Sequence, residues 1–89
     1  MSECRRFFIT GKVQGVFFRS STQKQAKQLQ LTGYAINLSD GRVEVVACGE
    51  TLPLDELEQW LWKGPRAARI DDVHTEIIDW QLFEKFTTG

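Results

Sequence analysis

Residues 34–48 read YAINLSDGRVEVVAC, and this stretch decides the fold because it predicts two antiparallel strands joined by a tight turn. Tyr34–Leu38 is short and rich in strand-forming residues, and Arg42–Cys48 alternates between two faces as a strand does. Between them lies Ser39-Asp40-Gly41, and Asp-Gly between two apolar runs is a strong hairpin signal. The sequence therefore predicts a β-hairpin near the middle of the chain.

A strand and a helix are predicted before the hairpin. Cys4–Thr10 is aromatic and β-branched, which is typical of a strand. Ser20–Leu31 has no glycine or proline and is rich in good helix formers. We expect Ser20 or Ser21 to cap the start of this helix and Gly33 to stop it.

A second helix and two further strands are predicted after the hairpin. The helix has Pro53 in its first turn, where a missing N–H costs nothing, and ends at Gly64-Pro65. Its apolar face carries Leu54, Leu57 and Leu61, with Trp60 beside them. Further strands are expected within Ala68–Ile78 and within Trp80–Phe86.

The order of the predicted elements is β-α-β-β-α-β followed by a final strand, which is the split β-α-β or ferredoxin-like arrangement. Right-handed crossovers place both helices on the same face of the sheet. We therefore predict an α+β sandwich, with a mostly antiparallel five-stranded sheet and two helices on one face. A chain of 89 residues has no room for two domains, so we expect residues 1–89 to form a single one.

The same topology places the two cysteines opposite each other. The first strand lies antiparallel to the third, which brings Cys4, at the start of one, near Cys48, at the end of the other. Facing residues of such a pair have Cα atoms about 4.5–5.5 Å apart, which is within reach of a disulfide. We expect the two thiols to cross-link on oxidation and to stay mostly reduced in a cytosol.

The charge balance and the composition limit the partners and cofactors. The chain has 11 Lys and Arg against 12 Asp and Glu, and this near-neutral total argues against a protein that coats nucleic acid or an anionic membrane. No apolar run approaches the roughly 20 residues of a membrane-spanning helix, and no signal peptide is evident, so the cytoplasm is the expected location. Two cysteines and one histidine, His74, are too few for a closed zinc site, and we expect neither a metal nor a cofactor.

The loop Gly11–Arg19 (GKVQGVFFR) is the segment most informative about chemistry, since it leads from the first strand into the first helix. The N–H groups of such a loop can converge, and a helix N-terminus adds about half a positive charge. Arg19 stands at the helix start, where its guanidinium can hold two anionic oxygens. These features fit a phosphate cradle, but the pattern is neither a P-loop nor a dinucleotide fingerprint, and it is also typical of a plain connection.

Three segments resemble one known family. Gly11–Arg19 resembles the first signature of the acylphosphatases, G-x-V-Q-G-V-x-F/Y-R. Gly33–Val43 resembles their second, in which an aromatic-bearing strand reaches an asparagine and then a turn ending in Gly-x-Val. Gly64–Ile70 is also similar to the family, so the likeness covers nearly the whole chain. It implies a five-stranded ferredoxin-like fold and the metal-independent hydrolysis of small acyl phosphates to a carboxylate and inorganic phosphate.

The resemblance also implies roles for single residues. Arg19 would bind the phosphoryl oxygens, and Asn37 would hold the attacking water. The cradle would be lined, mostly through main-chain N–H groups, by Gln14, Gly15, Val16, Phe17 and Phe18. The acyl-phosphate bond is already activated, so no strong general acid is needed, and we hypothesise that a phosphoryl oxygen of the substrate accepts the proton of the water. The expected partner is this small substrate alone, and the expected state is a monomer.

Two positions depart from the family pattern. Ile36 stands where a polar or basic residue is common, and Leu38 stands where Ser or Thr often follows the asparagine. We expect Ile36 to form part of an exposed apolar patch. Neither departure touches the phosphate clamp.

Two other functions are open at this point. RNA-recognition domains share the same element order, but Arg42–Cys48 lacks the aromatic residues on which they stack bases. Acylphosphatase-like domains also occur within larger proteins that handle carbamoyl phosphate, and the length of 89 residues favours the free enzyme.

Overall fold

The computed structural model describes residues 2–89, which form a five-stranded sheet and two helices. The elements are β1 Ser2–Lys12, α1 Phe18–Gln28, β2 Thr32–Asn37, β3 Val43–Glu50, α2 Thr51–Lys63, β4 Arg69–Ile78 and β5 Phe86–Thr87. The strands lie in the order β4-β1-β3-β2-β5, and every neighbouring pair is antiparallel except β2–β5. The predicted α+β ferredoxin-like fold is confirmed.

The hairpin between β2 and β3 forms as predicted. Asn37, the last residue of β2, lies opposite Val43, the first residue of β3. The N–H of Leu38 donates to the carbonyl of Arg42 at 2.8 Å and closes the connection. Gly41 adopts a φ of 95°, a left-handed conformation that glycine takes up without steric cost. The turn therefore holds the end of β2 in a fixed position.

The core lies between the sheet and the two helices, and both helices cover the same face. Alternate residues of β1 and β3 point towards them, and the predicted apolar face of α2 is fully buried. No helix within residues 2–89 is long and apolar enough to cross a membrane. The largest buried apolar side chains on this face of the sheet and on the helices include Phe7, Ile9, Val43, Val45, Phe86, Phe18, Leu54, Leu57 and Leu61.

The first helix begins earlier than predicted, at Phe18 rather than at Ser20. The side chains of Ser20 and Ser21 do not cap it, so that prediction is wrong. Both residues lie inside the first turn, where the Oγ of Ser20 and the N–H of Ser21 donate to the carbonyl of Phe17 at 3.2 and 3.0 Å. Phe17 occupies the N-cap position with a left-handed backbone.

The same helix ends at Gln28, well before Gly33, so the prediction that Gly33 stops the helix is wrong. Gln30 adopts a φ of 59°, and the N–H of Leu31 donates to the carbonyl of Ala26 at 2.9 Å. This is the geometry of a Schellman C-cap. Glutamine rarely takes the left-handed position of such a cap, so no residue type marks this helix end in the sequence, and Gly33 lies within β2 instead.

The last strand is shorter and later than predicted. We expected it within Trp80–Phe86, but β5 comprises only Phe86–Thr87 and pairs in parallel with β2. The preceding segment, residues 79–85, lies against the helix-free face of the sheet, where Phe83 meets Tyr34 edge-on with ring centroids 5.8 Å apart. Packing on this face, together with the hydrogen bond from the N–H of Gly33 to the carbonyl of Lys85 at 3.1 Å, holds the segment in place.

Cys4 and Cys48 lie opposite each other in the β1–β3 pair, in agreement with the expected topology. Both are buried beneath the 79–85 segment, and their sulfur atoms are joined in a disulfide. The N–H of Gln81 donates to the sulfur of Cys4 at 3.3 Å. The balance between the reduced and oxidised forms in the cell stays a prediction.

Candidate active site

A pocket of about 370 Å³ opens between the loop that follows β1 and the first turn of α1. This loop, residues 13–17, is called the cradle loop below. Thr88 forms part of the same pocket, because β5 lies beside β2 and leads Thr88 to the start of α1. The residues that line the pocket are Val13, Gly15, Phe17, Phe18, Arg19, Ser20 and Thr88.

The backbone of the cradle loop has two left-handed residues close together. Gly15 has a φ of 75°, and Phe17 has a φ of 62° and a ψ of 24°. Alternation of right-handed and left-handed residues turns successive N–H groups towards one side, which creates an anion-binding concavity. The loop leads directly into α1, whose first N–H groups have no acceptor within the helix. No acidic side chain occurs in the first turn of α1 to oppose an anion there.

Arg19 lies in the first turn of α1, half-buried, with its side chain along the pocket wall. Its Nη1 donates to the carbonyl oxygen of Thr88 at 3.1 Å. One turn further along α1, the Nε2 of Gln23 donates to the carbonyl of Phe86 at 2.9 Å. These two bonds hold the C-terminal residues against α1, and the first of them uses one of the five N–H donors of Arg19 to orient its guanidinium.

The side chain of Gln14 joins the cradle loop to the β2–β3 turn. Its Nε2 donates to the carbonyl of Leu38 at 2.8 Å and to the carbonyl of Arg42 at 2.9 Å. Both carbonyls belong to the connection that begins directly after Asn37. The end of β2 is therefore fixed relative to the loop, although Asn37 itself is exposed and does not line the pocket.

The charge of the pocket comes from one side chain. Among the pocket-lining residues of the described chain, only Arg19 carries a charge at neutral pH.

Two titratable groups outside the pocket have shifted pKa values. At the turn, the N–H of Arg42 donates to Asp40 at 3.1 Å, and this bond, together with the Arg42 guanidinium, holds the pKa of Asp40 below its usual value. On the helix-free face, burial and a hydrogen bond to Glu44 raise the pKa of Tyr34 to about 12. No group of three or more His, Cys, Asp or Glu within residues 2–89 could hold a metal ion.

A family model described as Acylphosphatase matches residues 5–88, which is almost the whole described chain. The chain belongs to the acylphosphatase family. It is 54% identical over 86 residues to an acylphosphatase from Alkalilimnicola ehrlichii, with 97% of each chain covered. Relatives in this family are enzymes, the acyl-phosphate hydrolases.

Two solved acylphosphatases share the fold closely. The structure of the Coxiella burnetii enzyme matches with a TM-score of 0.96 and 45% identity, over 99% of this chain and 93% of that one. The Bacillus subtilis enzyme matches with a TM-score of 0.95 and 28% identity, over 100% of this chain and 99% of that one. The resemblance noted in the sequence is thus confirmed over nearly the full length of these relatives.

The acylphosphatase-like motifs do not all reach the pocket. Of the residues proposed from the resemblance, Gly15, Phe17, Phe18 and Arg19 line it. Gln14, Val16 and Asn37 do not: the side chain of Val16 is buried in the core, and that of Gln14 is bonded to the turn. Any contribution of Val16 to phosphate binding must therefore come from its main chain.

The structure adds pocket residues that the sequence did not indicate. Val13 and Ser20 flank the predicted ones along the chain, and Thr88 comes from the far end of the chain. Nothing in the sequence signals Thr88, because it follows the strand Phe86–Thr87, and two residues are too few to show a periodicity. Ile36, expected in an exposed apolar patch, is half-buried and lines a second pocket with Tyr34, Thr87 and Gly89, so the patch there is only partly exposed.

Proposed function

We propose that this protein hydrolyses the carboxyl–phosphate bond of small acyl phosphates, releasing a carboxylate and inorganic phosphate without a metal. The observation that carries the proposal is the position of Arg19 at the N-terminus of α1, on the wall of a pocket shared with the cradle loop. A volume of about 370 Å³ suits a small ligand. The family to which the chain belongs supports the same reaction.

The phosphoryl group is bound by the guanidinium of Arg19 and by main-chain N–H groups of the cradle loop and of Phe18. Arginine matches two phosphoryl oxygens at once, and backbone donors at a helix N-terminus add favourable partial charge. Phosphoryl transfer depends mainly on such positioning and on donors aimed at the equatorial oxygens. The bond from Arg19 to Thr88 supports this role because it fixes the guanidinium before substrate arrives.

Asn37 orients the attacking water from the end of β2. An amide can align water but cannot remove its proton at neutral pH. No other charged group lines the pocket in the described chain, so the proton passes to a phosphoryl oxygen of the substrate. The Gln14 bonds support this arrangement, since they tie the turn after Asn37 to the cradle loop.

The assay that tests the proposal is phosphate release from benzoyl phosphate in the presence and absence of EDTA. We expect metal-independent turnover by the wild type. Arg19→Ala should lose on the order of 10³-fold in rate and also bind inorganic phosphate poorly. Arg66→Ala is a matched control, because Arg66 is exposed and lies outside the pocket, and it should keep full activity.

Asn37→Ala separates the two proposed roles. It should lose rate while inorganic phosphate inhibits it as strongly as it inhibits the wild type, because Asn37 does not hold the phosphate. Near-normal activity of Asn37→Ala would refute the role in positioning water. A folded wild-type protein without turnover would instead support a binding function. The monomeric state and the cytoplasmic location stay predictions.

A further inference from the structure

Phe17 is an exposed aromatic residue at the mouth of the proposed phosphate pocket. Its side chain is 82% exposed, although it lines the same pocket as Arg19 and Phe18. The neighbouring Phe18 is fully buried in the core. The ring of Phe17 therefore contributes little to folding and faces the space in which a ligand would lie.

The backbone of Phe17 makes its side chain more unusual. Its φ of 62° lies in the left-handed region, which is unfavourable for a bulky residue and is occupied mostly by glycine or asparagine. Its carbonyl accepts hydrogen bonds from the N–H of Ser21 and the Oγ of Ser20, so this conformation is fixed by the first turn of α1. An exposed aromatic ring held at a strained position is more easily explained by a ligand contact than by stability.

The other exposed large apolar side chains lie away from this pocket. Ile77 is 72% exposed on β4, Leu52 and Trp62 are 74% and 49% exposed on α2, and Trp80 and Leu82 are 54% and 86% exposed in the 79–85 segment. None of these five lines the pocket. Phe17 is thus the exposed aromatic residue of the described chain that combines high exposure with a place in the site.

We propose that Phe17 is a specificity-determining residue that contacts the acyl group of the substrate and favours aromatic and other large apolar acyl phosphates over acetyl or carbamoyl phosphate. This inference rests on the proposed function. With the phosphoryl group held by Arg19 and the loop N–H groups, the acyl group must extend towards the open side of the pocket. An aromatic ring there gains contact area with an apolar acyl group and gains almost nothing with a methyl or amino group.

The test compares kcat/KM for benzoyl phosphate with kcat/KM for acetyl phosphate in the wild type and in variants at position 17. Phe17→Ala removes the ring and keeps the unfavourable backbone for a residue with a Cβ. Phe17→Gly removes the ring and relieves the backbone. In both variants we expect the benzoyl-to-acetyl ratio to fall by about three- to tenfold, the range of an aromatic contact, and Phe17→Leu should give an intermediate ratio.

Two controls make the result specific. Inhibition by inorganic phosphate, which has no acyl group, should be unchanged in Phe17→Ala and Phe17→Leu, because both keep the main-chain N–H and a Cβ at position 17, and this also shows that the cradle loop is intact. Ile77→Ala removes a similarly exposed apolar side chain outside the pocket and should leave the ratio as in the wild type.

Two outcomes would overturn the inference, and a third would reject the proposed function on which it rests. An unchanged ratio in Phe17→Ala would show that the ring does not select the acyl group. A change in Phe17→Gly without one in Phe17→Ala would assign the effect to the backbone. Failure of the wild type to hydrolyse both substrates would reject the proposed function itself. This failure is distinct from the first two outcomes, because a benzoyl-to-acetyl ratio can be measured only when the wild type is active.

Discussion

Opening the Cys4–Cys48 disulfide should strongly destabilise the fold while leaving its packing almost intact. The two cysteines are 44 residues apart in the sequence and join β1 to β3 in the middle of the sheet. A cross-link that closes a loop of this length restricts the unfolded chain, and the loop-entropy relation gives about 4 kcal/mol at 25 °C. A free cysteine behaves as a small apolar side chain, so the reduced sulfurs can remain in the core.

The size of this contribution makes it easy to measure. A chain of this length has a free energy of unfolding of about 4–13 kcal/mol in total, so the disulfide supplies a large share of it. The midpoint of thermal unfolding should fall by roughly 15–30 °C on reduction. Because both cysteines are buried, reductant reaches them slowly in the native state. The protein should therefore be reduced in denaturant, refolded with reductant present, and compared with the oxidised form in urea.

A double variant, Cys4→Ala with Cys48→Ala, is the control for effects of the reductant itself. Its unfolding midpoint should not depend on reductant, and it should lie close to that of the reduced wild type. If the reduced wild type unfolds within about 1 kcal/mol of the oxidised form, restriction of the unfolded chain does not stabilise this fold and the reasoning fails.

Three further predictions concern the site and its surroundings. Gln14→Ala removes two hydrogen bonds to the β2–β3 turn and should lower the free energy of unfolding by about 1–3 kcal/mol in urea. It should also reduce kcat more than phosphate affinity, and equal losses in both would argue against the bridge to Asn37. Deletion of Thr88 and Gly89 removes the carbonyl that orients Arg19 and should weaken inhibition by phosphate on the order of tenfold, with the circular dichroism spectrum preserved. Asp40 has a lowered pKa in the folded state, so it stabilises the fold at neutral pH and this contribution is lost as the pH falls through that pKa; the urea midpoint of Asp40→Asn should therefore change less than that of the wild type between pH 6 and pH 2.

The fold was predictable where local patterns and packing agree. Alternation in β3, the apolar stripe of α2 and the Asp-Gly turn each point to the observed element, and short connections leave few topologies for them. The errors lie where one of these signals is missing. At the end of α1, Gln30 adopts the left-handed conformation for which a glycine was expected. The strand β5 is two residues long and forms only by pairing with β2. Gly33 is a further example. A Cβ added at this position would lie 1.8 Å from the carbonyl oxygen of Val46, so glycine is required by the close approach of two strands and does not mark the end of a helix.

The candidate site was predictable only in its local part. Gly15 and Arg19 stand on one continuous segment, so a motif can carry them together. The contacts that orient the site join residues far apart: Gln14 bonds to carbonyls 24 and 28 residues away, and Arg19 to one 69 residues away. All three acceptors are main-chain oxygens, which every residue possesses, so the amino acids at those positions need not reveal the contact. In this protein the sequence motif contains the side chains that are proposed to act on the substrate. Their orientation depends on main-chain carbonyl groups that come close to these side chains only when the chain folds.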